Sequence, residues 1–163
     1  MKKKTTYDLR TERMDYIFDT HAHYDDEAFD ADREEVLTGL KKQGIGTVVN
    51  VGASIASTKT TLALAETHSF MYAAVGVHPN ETAELTVADM KWLESLAENP
   101  TVVAIGEIGL DYYWDEPERE IQKHWFSAQL EVAKKTGLPV IIHSRDAAKD
   151  TLDIMKVEHN GAT

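Results

Sequence analysis

Ile17-Phe18-Asp19-Thr20-His21-Ala22-His23 is the stretch on which the reading of this chain turns. A short apolar run ends in an acid and then offers two imidazoles spaced i and i+2. If Tyr16 to Asp19 is a strand, its carboxyl end falls where His21 and His23 begin. Residues two apart on an extended backbone point the same way, so both rings can face one metal ion. Neutral imidazole is the commonest metal ligand and suits Zn, Mn, Fe and similar ions. A surface loop that happens to carry two histidines is the competing reading. Later strands weigh against it, because they end in similar chemistry.

Outward from that stretch, short apolar and largely β-branched runs recur: Tyr16 to Asp19, Thr47 to Val51, Phe70 to Val77, Val102 to Ile105, and Pro139 to His143. Strands read as continuous apolar runs when both faces are buried, as in parallel sheets. A helical pattern follows each run. Asp32 with Glu35 resembles a capping box, and Gly44 stops that helix. Ser54 to Thr67 sets Ile55, Leu62 and Ala65 on one face. Thr86 with Asp89 opens the next helix, whose stripe is Leu93, Leu96 and Ala97. Pro117 suits a first helical turn, and Ile121, Trp125, Ala128 and Val132 repeat at helical spacing until Gly137. Ala148, Leu152 and Met155 make the last stripe. Trp125 reads as core.

Strand and helix alternating at about 30-residue spacing indicate right-handed βαβ units and an α/β fold. A doubly wound sheet and a (β/α) barrel both fit. A dinucleotide-binding sheet wants a glycine-rich fingerprint after an early strand. Gly44-Ile45-Gly46 precedes a strand instead. A barrel predicts chemistry at the carboxyl ends of several strands, and that is the pattern here.

The 163 residues suffice for one domain with a real core. No run of about 18 apolar residues is present to span a membrane. Met1-Lys2-Lys3-Lys4 is basic, but no apolar secretory segment follows it. Residues 1–13 read as a polar extension, 14–163 as the domain, and Met14 as an alternative start. Cysteine is absent, which removes disulfides and thiolate metal sites and is compatible with the expected cytoplasmic location. The net charge is −11, from 17 Lys and Arg against 28 Asp and Glu. Such a surface disfavours a broad grip on nucleic acid. It still allows a nuclease that neutralises a few phosphates locally with metal ions.

Four strand ends carry the chemistry. They are Asp19-Thr20-His21-Ala22-His23, Val75-Gly76-Val77-His78-Pro79, Ile105-Gly106-Glu107-Ile108-Gly109-Leu110-Asp111-Tyr112-Tyr113, and Ile141-Ile142-His143-Ser144-Arg145. A glutamate directly after an apolar strand is costly to bury unless it is paired or metal-bound. Glu107 is therefore a candidate ligand, with an ion pair to Arg145 as the alternative. His143 falls at the same end of the sheet and reads better as a ligand than as a core histidine.

Together these strings resemble the TatD family of metal-dependent deoxyribonucleases, among the amidohydrolase-like TIM barrels. The resemblance runs from about Asp15 to about Val157 in order and spacing. It implies a (β/α)8 fold of which this chain holds about the first five βα units. It also implies a site for two divalent ions, of Mg, Mn or Zn. His21 and His23 would hold the first ion, Glu107 would bridge both and serve as the catalytic residue, and His143 would bind the second. His78 and Arg145 lie where the family meets substrate, here DNA or another phosphodiester, although His78 reads equally as a structural histidine before a proline turn. Asp19 and Asp111 would stand behind the ligands and hold ring tautomers and loop position. His68, His124 and His159 receive no role.

A complete barrel typically needs about 250 residues. The family's late ligands, a histidine after strand six and an aspartate after strand eight, have no counterpart here. The expectation is a fragment of a longer enzyme with little or no activity of its own. Open parallel edges also make self-association an expected hazard. Two other readings compete: an amidohydrolase or lactonase on the same barrel, and a metal-binding, self-associating module without turnover. Many barrels of the first kind bridge their metals with a carboxylated lysine after strand four, where this chain has Glu107.

Overall fold

The computed structural model describes residues 16–160, and the polar extension at 1–13 lies outside the described residues. Five strands form one sheet: β1 (Ile17–Ala22), β2 (Ile45–Val51), β3 (Met71–Val75), β4 (Val102–Asp111) and β5 (Val140–Arg145). They lie in sequence order, and every neighbouring pair is parallel. That order separates the two architectures. A doubly wound sheet reverses its strand order at a switch point, whereas a barrel advances in one direction. The sheet is a curled half-barrel with helices outside it.

The runs of β2, β3 and β4 read as apolar because both faces are covered, whereas Ile17 and Phe18 of β1 are exposed. On the helix side, Val48, Met71, Ala73, Val75, Ile105 and Ile108 are buried with Leu37, Leu93 and Phe126. On the inner side, the smaller Val49, Val51, Ala74 and Ala104 form a second cluster, as the narrow interior of a barrel requires.

The helices are α1 (Arg33–Leu40), α2 (Ile55–Thr67), α3 (Val87–Leu96), α4 (Arg119–Thr136) and α5 (Ala148–Asn160). Their detail departs from the sequence reading in several places. Asp32 holds the N-cap position of α1, but its side chain makes no capping bond. Thr86 and Asp89 do form a full capping box on α3. The buried face of α2 is Thr58, Thr61, Leu64 and Ala65, so of the expected stripe Ala65 is buried, Leu62 packs partly buried against the core and Ile55 is not in the buried set. Its threonines are buried because they have partners: Thr58 Oγ1 donates to the Gly76 carbonyl at 2.8 Å, and Thr61 Oγ1 accepts from Asn50 Nδ2 at 2.8 Å. Pro117 lies outside α4, ahead of the N-cap Glu118. On α5, Leu152 is 50% exposed while Thr151 is buried. The backbone at His159 belongs to α5. No described helix is long and apolar enough to cross a membrane.

The strands also run further than the apolar runs. β1 continues through His21, and β4 continues through Glu107 to Asp111. The polar strings of β1, β4 and β5 are thus carried largely on extended backbone, while His23, Gly76, Val77, His78 and the residues after Asp111 lie outside the strands. Two close approaches make this possible. A Cβ on Gly76 would stand 2.8 Å from the Gly106 carbonyl carbon, and a Cβ on Gly109 would overlap the His143 carbonyl oxygen. Gly109 also sits at φ +146°, where other residues are strained. It pairs in register with His143, and Asp111 pairs with Arg145.

Candidate metal centre

The structure brings His21, His23, Glu107 and His143 together at the carboxyl end of the sheet. Glu107 stands at their centre. Its Oε2 lies 3.4 Å from His21 Nε2 and 3.7 Å from His23 Nε2, and its Oε1 lies 3.1 Å from His143 Nδ1. The two facing nitrogens of His21 and His23 are 3.1 Å apart. Two groups with the spacing of metal ligands result, His21–His23–Glu107 and His78–Glu107–His143, and they share the glutamate. The Glu107–Arg145 ion pair considered from sequence does not form.

Neighbouring groups orient the donor atoms. His23 Nδ1 donates to the Val51 carbonyl at 2.8 Å, which leaves Nε2 with its lone pair toward Glu107 and His21. That is the tautomer a metal ligand needs. Asp19 Oδ1 accepts the backbone N–H of His21 at 3.2 Å, so of the two expected tasks it contacts the main chain and not a ring. Asp111 is buried, with Oδ2 3.1 Å from His143 Nε2. Its Oδ1 accepts the N–H groups of Tyr113 at 2.9 Å and Trp114 at 3.3 Å. His143 therefore lies between two carboxylates.

That arrangement sets the electrostatics. The Glu107 hydrogen bond, joined by that of Asp111, raises the His143 pKa against the opposing effect of burial. Burial alone would raise Glu107, but the His143 hydrogen bond and the nearby His21 and His78 outweigh it and hold the carboxyl low. Burial lowers His78, and the neighbouring His143 pushes in the same direction. Protons on His143 and cations compete for the same lone pair.

His78 caps a one-turn 3-10 helix, Pro79–Glu81, and its Nδ1 accepts the Asn80 N–H at 3.2 Å. Its ring packs edge-on at 4.2 Å from that of His143. Nε2 is then the hydrogen-bearing nitrogen of the neutral ring. Arg145 is exposed, its guanidinium 3.9 Å over the Tyr113 ring. Beside the cluster is a cavity of about 790 Å³ whose lining includes His23, Asp25, Ser57, His78 and Glu107.

Sequence reasoning missed the groups that hold this frame. Gln122, buried on α4, accepts the Asp111 N–H at 2.9 Å and donates to the Asp111 carbonyl at 3.0 Å. Gln129 does the same for Val77, at 2.8 and 3.0 Å. Each amide clamps the backbone at or beside a site residue. Asp25 accepts from Asn50 Nδ2 at 2.8 Å and from Ser57 Oγ, which ties the loop after His23 to β2 and α2. The one signal available was that Gln122 and Gln129 share the helical face of Trp125, Phe126, Val132 and Ala133.

Residues 18–163 match the family model described as TatD related DNase. The chain belongs to the TatD family. It is 42% identical over 142 residues to the uncharacterized metal-dependent hydrolase YabD of Bacillus subtilis, covering 87% of this chain and 56% of that protein. It is 33% identical over 141 residues to the 3'-5' ssDNA/RNA exonuclease TatD of Erwinia amylovora, covering 86% and 54%. The crystal structure of the TatD homologue YjjV from Escherichia coli superposes with a TM-score of 0.81 at 33% identity, covering 89% of this chain and 57% of that one. The TatD family hydrolase of Entamoeba histolytica gives 0.82 at 23% identity, covering 89% and 55%, which supports the fold. The chain spans about half the length of the curated relatives it matches.

Proposed function

We propose that this chain carries a two-ion site for hydrolysing phosphodiester bonds in nucleic acid. The observation that carries the reading is the split engagement of Glu107, one oxygen toward His21 and His23 and the other toward His143. A carboxylate with its two oxygens turned to two ligand groups is what a bridging residue requires. The donor set of imidazole nitrogens and carboxylate oxygens fits Mn and Zn and tolerates Mg. The tautomer of His23 fits as well. Bound there, divalent ions would supply a water of lowered pKa and charge stabilisation for the attacking and leaving oxygens.

The chain's own residues supply orientation. His21 and His23 would hold the first ion with Glu107, and His143 would hold the second after releasing its Nδ1 proton. Asp111 would keep the His143 ring in place through Nε2. His78, with Nε2–H free to donate, would hold a non-bridging phosphate oxygen. Arg145 would contact a further phosphate with its charge. Among the described residues, no second carboxylate joins Glu107 in the His21–His23 group to accept a proton from water. Turnover by the 163-residue polypeptide is accordingly expected to be weak, since general-base catalysis is worth about 10²–10⁴-fold.

The test is calorimetric titration of Mn into the 163-residue chain and into Glu107→Gln, beside a single-stranded DNA cleavage assay. Loss of a group behind a ligand costs about 10–100-fold in metal affinity, so loss of the shared ligand should weaken both binding events at least that much. Unchanged binding of either ion in Glu107→Gln would show that Glu107 does not bridge.

A further inference from the structure

Strand β4 is followed by three aromatic residues in a row, and the fold treats them differently. Tyr112 is pinned: its hydroxyl donates to Asp150 at 2.8 Å, and the Arg119 guanidinium lies 4.2 Å over its ring. Tyr113 and Trp114 face outward, 56% and 63% exposed. Their rings stand at 89° with centroids 5.0 Å apart, so they form a corner with two apolar walls. Arg145 lies against one wall, 3.9 Å from the Tyr113 centroid. Among the described residues no carboxylate pairs with it.

The corner is held in a defined relation to the ligand cluster. Asp111 accepts the N–H groups of Tyr113 and Trp114 with one oxygen, while its other oxygen lies 3.1 Å from His143 Nε2. One buried carboxylate thus places both the aromatic corner and the His143 ring. Two adjacent large aromatics left open to water beside polar chemistry mark a surface that meets a ligand.

We propose that Tyr113 and Trp114, with Arg145, form a stacking platform that seats an unpaired base of a single-stranded nucleic acid. The base would lie next to the phosphodiester held at Glu107 and His143, so the inference rests on the phosphodiesterase reading above. Every base has a π-face, and aromatic side chains bind it without regard to sequence. Stacking needs no positive field, which suits a chain of net charge −11. The Arg145 guanidinium, stacked on Tyr113, keeps its N–H edge available to the adjoining phosphate. A duplex buries its base faces, so the platform selects single strands.

The experiment is fluorescence anisotropy of the 163-residue chain with Mn. The probes are a labelled oligo-dT of about six nucleotides, within the usual site size, and an abasic deoxyribose-phosphate oligomer of equal length. Stacking on one ring corresponds to about fivefold or more in affinity. Oligo-dT should therefore bind at least about fivefold tighter than the abasic oligomer. Trp114→Ala should remove that advantage and leave abasic binding unchanged, and Trp114→Phe should retain it. Equal binding of dT and abasic oligomers by the wild-type chain would overturn the platform while leaving the phosphodiesterase reading intact. A Trp114→Ala variant that weakens both probes alike, with a lowered melting temperature, would assign the ring to packing and also overturn it. Failure to bind either probe would overturn both readings.

Discussion

At the scale of single residues, identity announces chemistry far better than it announces environment. The convergence of His21, His23, Glu107 and His143 was legible because all four stand at the same ends of successive parallel strands. Gln122 and Gln129 were not, since a glutamine in a helix ordinarily faces water, and only the backbone groups opposite explain its burial. Tyr112 makes the point testable. Burial comes first and its hydrogen bond to Asp150 second in pushing the phenol up from 10.0 to about 12. A raised value means that the folded state favours the neutral phenol. The stabilisation is fully present below about pH 10 and fades as pH climbs through about 12. Burial also raises Tyr24, so in an ultraviolet titration of the folded chain more than one tyrosine should ionise late, and Tyr112→Phe should diminish that component without abolishing it. A titration indifferent to the substitution would count against the Asp150 bond.

At the scale of elements, strand lengths were the weakest reading and glycines the reason. The apolar run Val102 to Ile105 stops at Gly106, yet β4 continues to Asp111 beside β5. Gly109 allows this by passing the His143 carbonyl without a side chain, at a φ that other residues tolerate poorly. Gly109→Ala combines overpacking, about 1–3 kcal/mol, with backbone strain of similar size. The expected loss in chemical denaturation is at least about 2 kcal/mol, and metal affinity should fall with it because His143 must shift. Thr86→Ala provides the contrast. It removes one half of the α3 capping box, far from the site, and should cost about 1 kcal/mol with metal binding unchanged. Equal effects of the two substitutions on metal binding would refute the role given to Gly109.

At the scale of the whole molecule, β1 and β5 are the end strands of the described sheet. Tyr16, Ile17 and Phe18 expose 49%, 61% and 55% of their surface on or beside β1, and Val157 on α5 exposes 70%. An uncovered parallel edge with large apolar side chains is prone to association. Sedimentation velocity of the 163-residue polypeptide should therefore show concentration-dependent species larger than monomer, and Ile17→Lys should shift it toward monomer. A wild-type chain that stays monomeric at high concentration would remove the edge from the account.

By itself the sequence determined a parallel α/β architecture, its family, and which residue types stand at the strand ends. Those properties are local: a run is apolar because both faces will be covered, and a histidine keeps its donor atoms wherever it lies. Only the tertiary structure decided that one glutamate divides its oxygens between two histidine groups, and that His143 is held between Glu107 and Asp111. It alone separated a pinned Tyr112 from an exposed Tyr113 and Trp114. These relations depend on the register between β4 and β5 and on the side chains that α4 sends beneath them. Such distances join residues 30 or more positions apart in the chain, as His143 and Glu107 are at 36, and no local pattern encodes them.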